Sequence, residues 1–283
     1  MGMRQLRDED GEHAALHDLG GDGPALLLTH GNGLNAGMWA TVVPHLRATF
    51  HCFGLDFRGH GASRQTHQRI PIERRWFIAE VLAAVNAIGG PPALAAGHSL
   101  GAATLLRAEQ QCPGTLRACW AFEPVLVPDT WDAKPPPSNL IESSRRRRLV
   151  FASVQDAVER FRSKPPFARC EPAAVWAYVE QGTAPQPDGS VKLTCSGETE
   201  ASVYESNEQL DFSRFAAIMC PIVVGAGQTM ATGNELPPMV APLVANALGD
   251  GSLEVLVGVT HFAPMEDGAL VARSILDHLT RFA

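Results

Sequence analysis

The sequence contains no close-set cysteine pair. Cys52, Cys112, Cys119, Cys170, Cys195 and Cys220 are scattered along the chain with no CxxC spacing. That argues against a zinc site and, in a chain of 283 residues, favours free thiols over a disulfide frame. Basic excess is also missing: 23 Lys and Arg against 30 Asp and Glu leave a net charge of −7, which disfavours a general attraction to nucleic acid or an anionic membrane. The first ten residues hold no apolar core, so no secretory signal is expected. Leu6 stands where a myristoylation signal needs Ser or Thr. The stretch Val81 to Leu106 carries no Asp, Glu, Lys or Arg, yet Gly89-Gly90-Pro91-Pro92 would break a helix in mid-bilayer. It reads as helix, turn, strand, turn and helix of a soluble core, with the cytoplasm as the expected compartment. No internal repeat or low-complexity tract stands out.

What is present is an alternation of strand-length apolar runs with segments of helical period, the mark of a mostly parallel sheet covered by helices. Strands are expected at Ala25–Thr29, Cys52–Asp56, Ala93–Ala96 and Ala118–Phe122. Between them fall a short helix over Met38 to Leu46 and a longer one after Pro71, in which Phe77, Val81, Val85 and Ile88 recur at helical spacing. From about Pro124 to Ser213 the pattern is irregular, with Pro124, Pro128 and Pro135 to Pro137, helical segments, and a hairpin expected at Asp188-Gly189. Alternation resumes at Pro221–Val224, Val240–Leu248 and Leu253–Val257, and a last helix carries Val271, Ile275, Leu279 and Phe282 on one face. The expected division is a core over 1–126, an inserted and mainly helical cap over 127–213, and a second part of the core over 214–283. Ligands of open α/β sheets bind at the carboxyl ends of the strands, so a cap there would roof the site.

Three motifs carry chemistry. Gly97-His98-Ser99-Leu100-Gly101 fits the nucleophile elbow G-x-S-x-G, with an expected strand before it and small residues opening a helix after it. The pattern alone is weak; the context makes Ser99 the candidate nucleophile. His30-Gly31-Asn32-Gly33 follows the first buried strand, where a glycine turn can aim a backbone N–H at a bound carbonyl oxygen. The expected oxyanion donors are the amides of Asn32 and Leu100. His30 is read as a brace for that loop rather than as a base. Asp56-Phe57-Arg58-Gly59-His60-Gly61-Ala62-Ser63 is read as structural, His60 included, with Asp56 and Arg58 as a local ion pair. Arg145 to Arg148 are read as a solvated face of one helical turn, with an anion-recognition role as the alternative.

The order of these motifs along strands and helices resembles the α/β-hydrolase superfamily, in the branch that carries a cap after the sixth strand. The resemblance implies the α/β-hydrolase fold and a Ser–acid–His triad in that chain order. His261, in the loop after the last strand and before Pro264, matches the family's histidine. The acid departs from the commonest pattern: Met230 stands where the Gly-x-x-Asp turn would place an aspartate. Glu123, ending an apolar strand, is the favoured acid, because a buried carboxylate needs a partner and His261 is a natural one. Glu235, Asp129 or no acid at all are the alternatives. Trp131, Phe151, Phe161, Phe167, Trp176 and Tyr178 are expected to build the cap's own small core.

The expected function is hydrolysis of a carboxylic ester or related acyl compound through an acyl-enzyme, with no cofactor or metal, a small-molecule acyl substrate, and no nucleic-acid partner or membrane span. Substrate-binding residues and oligomeric state stay open. A carbon–carbon bond hydrolase of the same fold and a non-catalytic ligand binder are the competing readings.

Overall fold

The computed structural model describes residues 2–7, 13–63, 70–131, 138–206, 208–228 and 236–283. The first part of the chain runs β1 (Met3–Arg7), β2 (His13–Gly20), β3 (Ala25–Thr29), α1 (Val43–Leu46), β4 (His51–Asp56), α2 (Arg74–Ala87), β5 (Ala93–His98), α3 (Leu100–Gln111) and β6 (Leu116–Phe122). An insert follows with β7 (Val127–Pro128), α4 (Ser138–Arg145), β8 (Val150–Phe151), α5 (Val154–Arg162), α6 (Pro172–Gln181), β9 (Thr183–Pro185), β10 (Val191–Leu193), α7 (Gly197–Glu205) and β11 (Gln209–Leu210). The core then resumes with β12 (Ile222–Gly227), α8 (Leu236–Ala247), β13 (Gly251–Leu256), α9 (Ala263–Glu266) and α10 (Gly268–Leu279).

Eight strands form one sheet in the order β1-β2-β4-β3-β5-β6-β12-β13. From β4 to β13 every neighbouring pair is parallel, and β1 and β2 add an antiparallel edge. The buried runs read from sequence became the central strands: β3, β5 and β6 are almost continuously buried, as parallel strands covered on both faces must be. The edge pair is not marked in the sequence because β1 is largely exposed and has neither a buried run nor an alternation of buried and exposed residues. One apolar layer under α2, α3 and α8 covers one face of the sheet, and a second, under α1 and α10, covers the other and continues into the insert through Phe151, Val175 and Tyr178.

The expected hairpin is present: β9 pairs antiparallel with β10, and Gly189 takes φ +84 in the turn. The short helix expected over Met38 to Leu46 is split into a 3-10 turn over Ala36–Trp39 and α1. Among the described residues no helix is long and apolar enough to cross a membrane, and the six cysteines are all free thiols.

Three local readings are corrected. Asp56 and Arg58 do not pair. The Asp56 carboxylate accepts from the amides of Ala36 (2.7 Å) and Ala62 (2.8 Å) and meets His17 Nε2 at 2.8 Å. Its oxygens are thus engaged by its own loop, by the turn at Ala36 and by β2, while Arg58 turns to α2 and meets Glu80 at 2.6 Å. The arginine run is not one helical turn either. Helix α4 ends at Arg145, so the next three side chains leave in different directions. Arg145 meets Glu198 and Glu205, Arg146 meets Glu142, and Arg148 meets Asp156, all at the surface. Arg147 instead turns inward and is half-buried against Glu200. Trp176, expected in the core of the insert, is 40% exposed, whereas Phe151, Phe161, Phe167 and Tyr178 pack ring on ring.

Candidate active site

Ser99 sits between β5 and α3 at φ 55 and ψ −114, a region that non-glycine residues rarely enter. Two close approaches hold it there. A Cβ on Gly97 would lie 2.7 Å from the Ala102 nitrogen, and one on Gly101 would lie 2.6 Å from the Thr29 carbonyl carbon. Only glycine lets strand and helix come this near, so the elbow's two glycines are needed by packing as well as by turn geometry. The Ser99 amide donates to Phe122 O at 2.9 Å, and Ser99 O accepts from the Ala103 amide at 2.9 Å. Leu100 opens α3, where first-turn N–H groups have no partner within the helix and favour negative charge.

The glycine turn after β3 lies directly against this elbow. A Cβ on Gly31 would stand 3.2 Å from Ser99 Cβ and 2.7 Å from His98 Nδ1. The Gly31 carbonyl accepts from the Leu34 amide at 3.1 Å and from His30 Nδ1 at 2.8 Å. Because a trans peptide points its C=O and N–H in opposite directions, this fixes the Asn32 N–H on the other side of the plane. His30 Nε2 accepts from the Phe57 amide at 3.1 Å, so His30 is held neutral as a brace, and burial pushes its pKa down to about 3. His60 does the same from the next loop, accepting from the Gly33 amide at 3.1 Å through Nε2 and donating from Nδ1 to Arg58 O at 3.0 Å. Burial lowers its pKa as well.

Glu123, one residue past β6, has φ 43 and is buried. Its amide donates to Gly225 O at 2.8 Å. Both carboxylate oxygens are engaged: Oε1 accepts from the Gly227 amide at 2.8 Å, and Oε2 meets His261 Nδ1 at 2.6 Å. An Nδ1–H donated to Glu123 leaves Nε2 of His261 with the ring's lone pair. Asp129, one of the alternatives, is exposed. Met230 and Glu235 lie outside the described residues.

Two residues at this site escaped sequence reasoning. His98, the variable position before Ser99 in the elbow, approaches the His261 carbonyl at 2.7 Å through Nε2, and its ring centroid is 4.6 Å from that of His261. Burial holds its pKa well below the usual histidine value, so it is a neutral donor that anchors the histidine loop to the elbow. Glu266 braces the same loop, accepting from the Thr260 amide at 2.8 Å and from Thr260 Oγ1 at 2.7 Å. Its spacing from Thr260 was the only sequence signal; nothing in the motif pattern marked it. Among the described residues no cluster of His, Cys, Asp or Glu could hold a metal ion.

A strained serine elbow, a braced glycine turn against it and a carboxylate-held histidine lie beyond the strand ends of a doubly covered sheet, the groups that a hydrolase-type site requires. The alpha/beta hydrolase family model matches residues 26–274, and the chain belongs to this family. A pimeloyl-[acyl-carrier protein] methyl ester esterase of Methylococcus capsulatus is 35% identical over 96 residues, which span 34% of this chain and 35% of that protein. Protein phosphatase methylesterase 1 of Mus musculus is 28% identical over 163 residues, 55% of this chain and 41% of that protein. The chain thus spans well under half the length of these relatives. Among solved structures, E-2-(acetamidomethylene)succinate hydrolase superposes with a TM-score of 0.78 at 18% identity, covering 98% of both chains. The thioesterase domain from the curacin biosynthetic pathway gives 0.78 at 19% identity, covering 98% of this chain and 99% of its own.

Proposed function

We propose that this chain hydrolyses a carboxylic ester, or a related acyl compound such as a thioester, through an acyl-enzyme on Ser99. The observation that carries the reading is the His261–Glu123 hydrogen bond of 2.6 Å, built on the loop that His98 ties to the serine elbow. His261 Nε2 takes the Ser99 proton as the hydroxyl attacks the acyl carbon and returns it to the departing alcohol or thiol. The amides of Asn32 and Leu100 receive the oxyanion. Water, activated by the same imidazole, then releases the acid. Glu123 holds the ring in one tautomer and stabilises its protonated form. The insert over 127–213 serves as the cap over this site. The two methyl-ester esterases among the relatives support an ester with a small alcohol as the first substrate to try.

The test is a panel of acyl esters of varied chain length and alcohol size, with fluorophosphonate labelling, on the wild type and Ser99→Ala. Turnover and labelling that both vanish in Ser99→Ala support the reading. A well-folded wild type that neither labels nor turns over any ester favours the ligand-binding alternative.

A further inference from the structure

The oxyanion turn is held from two sides. From the core come His30 and His60. From the insert come groups that the motifs did not announce, and their hydrogen bonds run in one direction. Arg147 Nη2 donates to the Tyr178 hydroxyl at 3.2 Å, and that hydroxyl donates to Gly33 O at 3.1 Å. Gly33 O belongs to the same peptide as the Leu34 N–H, which donates to Gly31 O at 3.1 Å. Gly31 O in turn belongs to the peptide whose N–H is that of Asn32. A guanidinium therefore stands at one end of a series of aligned donors, and the Asn32 amide stands at the other. Aligned hydrogen bonds polarise one another, more so in a buried setting. Each step here strengthens the next donor, ending on the amide that would meet a developing negative charge.

Other contacts make the insert and the turn one body. Asn32 Nδ2 donates to Glu200 O at 2.9 Å, and Asn35 Nδ2 donates to Tyr178 O at 2.9 Å. Gly33 takes φ +73, where a side chain would be strained, and a Cβ there would fall 2.8 Å from Glu200 Oε1 and push that side chain aside. Glu200 pairs with Arg147, which fixes the guanidinium that anchors Tyr178. Burial raises the Tyr178 pKa, so the phenol stays a donor through neutral pH.

We infer that Tyr178 and the Arg147–Glu200 pair are positioning residues for the oxyanion turn, so that the strength of the Asn32 donor depends on the insert being docked. This rests on the acyl-enzyme reading above. It also gives the site a simple control: lifting the insert would weaken the oxyanion donor at the same moment as it opened the site.

The test compares Tyr178→Phe, Glu200→Gln and, as a surface control, Arg148→Gln, whose side chain bonds exposed Asp156. Three quantities are read with one chromogenic ester: kcat, KM, and inhibition by a trifluoromethyl ketone, which forms a tetrahedral adduct bearing an oxyanion. Tyr178→Phe is expected to lower kcat about 10- to 30-fold, below the 10²–10³ typical of losing a donor outright. KM should stay within about twofold, and the ketone should weaken by the same factor as kcat. Glu200→Gln should move kcat and ketone affinity together, by less. Wild-type kcat in Tyr178→Phe, with Ser99→Ala inactive, overturns the positioning role alone. So does a fall in kcat without a matching loss of ketone affinity, or an equal fall in Arg148→Gln. Full activity in Ser99→Ala overturns the acyl-enzyme chemistry and the positioning role with it.

Discussion

The core and the insert hold the same turn by different physics. On the core side, the histidine braces are neutral: His30, His60 and His98 are buried, uncharged, and tied to backbone amides and carbonyls. On the insert side the anchors are a charged pair and a phenol, Arg147, Glu200 and Tyr178. A neutral brace needs no counter-ion and loses its geometry only when it is protonated. The half-buried Arg147–Glu200 pair leaves one charge poorly solvated when its partner is removed. The core therefore supplies a fixed wall, and the insert a contact that acts as a unit, made or unmade.

The largest effect should come from the core carboxylate that faces His261. Glu123→Gln keeps the shape of the side chain and its contact with the Gly227 amide but removes the charge facing His261. We expect kcat to fall by up to about 10⁴, as when a triad acid is neutralised, with far-ultraviolet circular dichroism unchanged. Near-wild-type turnover would move the acid elsewhere, with Glu235 the next candidate.

A smaller effect separates buried from exposed ion pairs. Glu80→Ala breaks the Arg58–Glu80 pair, whose side chains are each only 3% exposed, and should destabilise by about 3 kcal/mol in urea unfolding. Arg146→Gln removes a surface i,i+4 pair at 77% and 53% exposure and should leave the midpoint nearly unmoved. Equal losses in the two would erase the distinction drawn here.

The smallest concerns pH and the neutral brace. The His30 pKa is lowered by burial to about 3, against about 6.5 in an unfolded chain. Between those values the unfolded state binds a proton that the folded state refuses, so stability is full above about pH 6.5 and declines as pH falls toward 3. From pH 7 to pH 5 His30 alone should cost about 2 kcal/mol, and His60 and His98, lowered by the same cause, add in the same direction. A urea midpoint that stays flat across this range would show that the braces accept protons in place.

Much of this was legible before the fold. Gly97, Ser99 and Gly101 announce a turn whose steric demand is local, and the central strands are near-continuous apolar runs because both faces of the sheet are covered. Glu123 was readable by a different route: a carboxylate at the end of an apolar strand implies a partner, and the structure places His261 there. What misled was proximity in sequence. Asp56 and Arg58 stand two residues apart yet serve different elements. Four consecutive arginines hide one that turns inward, because the helix unwinds at Arg145 and each guanidinium goes to a different carboxylate.

The chain by itself determined the elbow, the strand order of its motifs and the neutral, glycine-tight turn, since these follow from local backbone sterics and from apolar patterning. Only the tertiary structure decided that His98 would tie the His261 loop to the elbow, and which arginine would turn inward to stand behind the oxyanion turn. Those choices depend on contacts between segments more than a hundred residues apart, such as Tyr178 to Gly33, and no spacing along the chain encodes them.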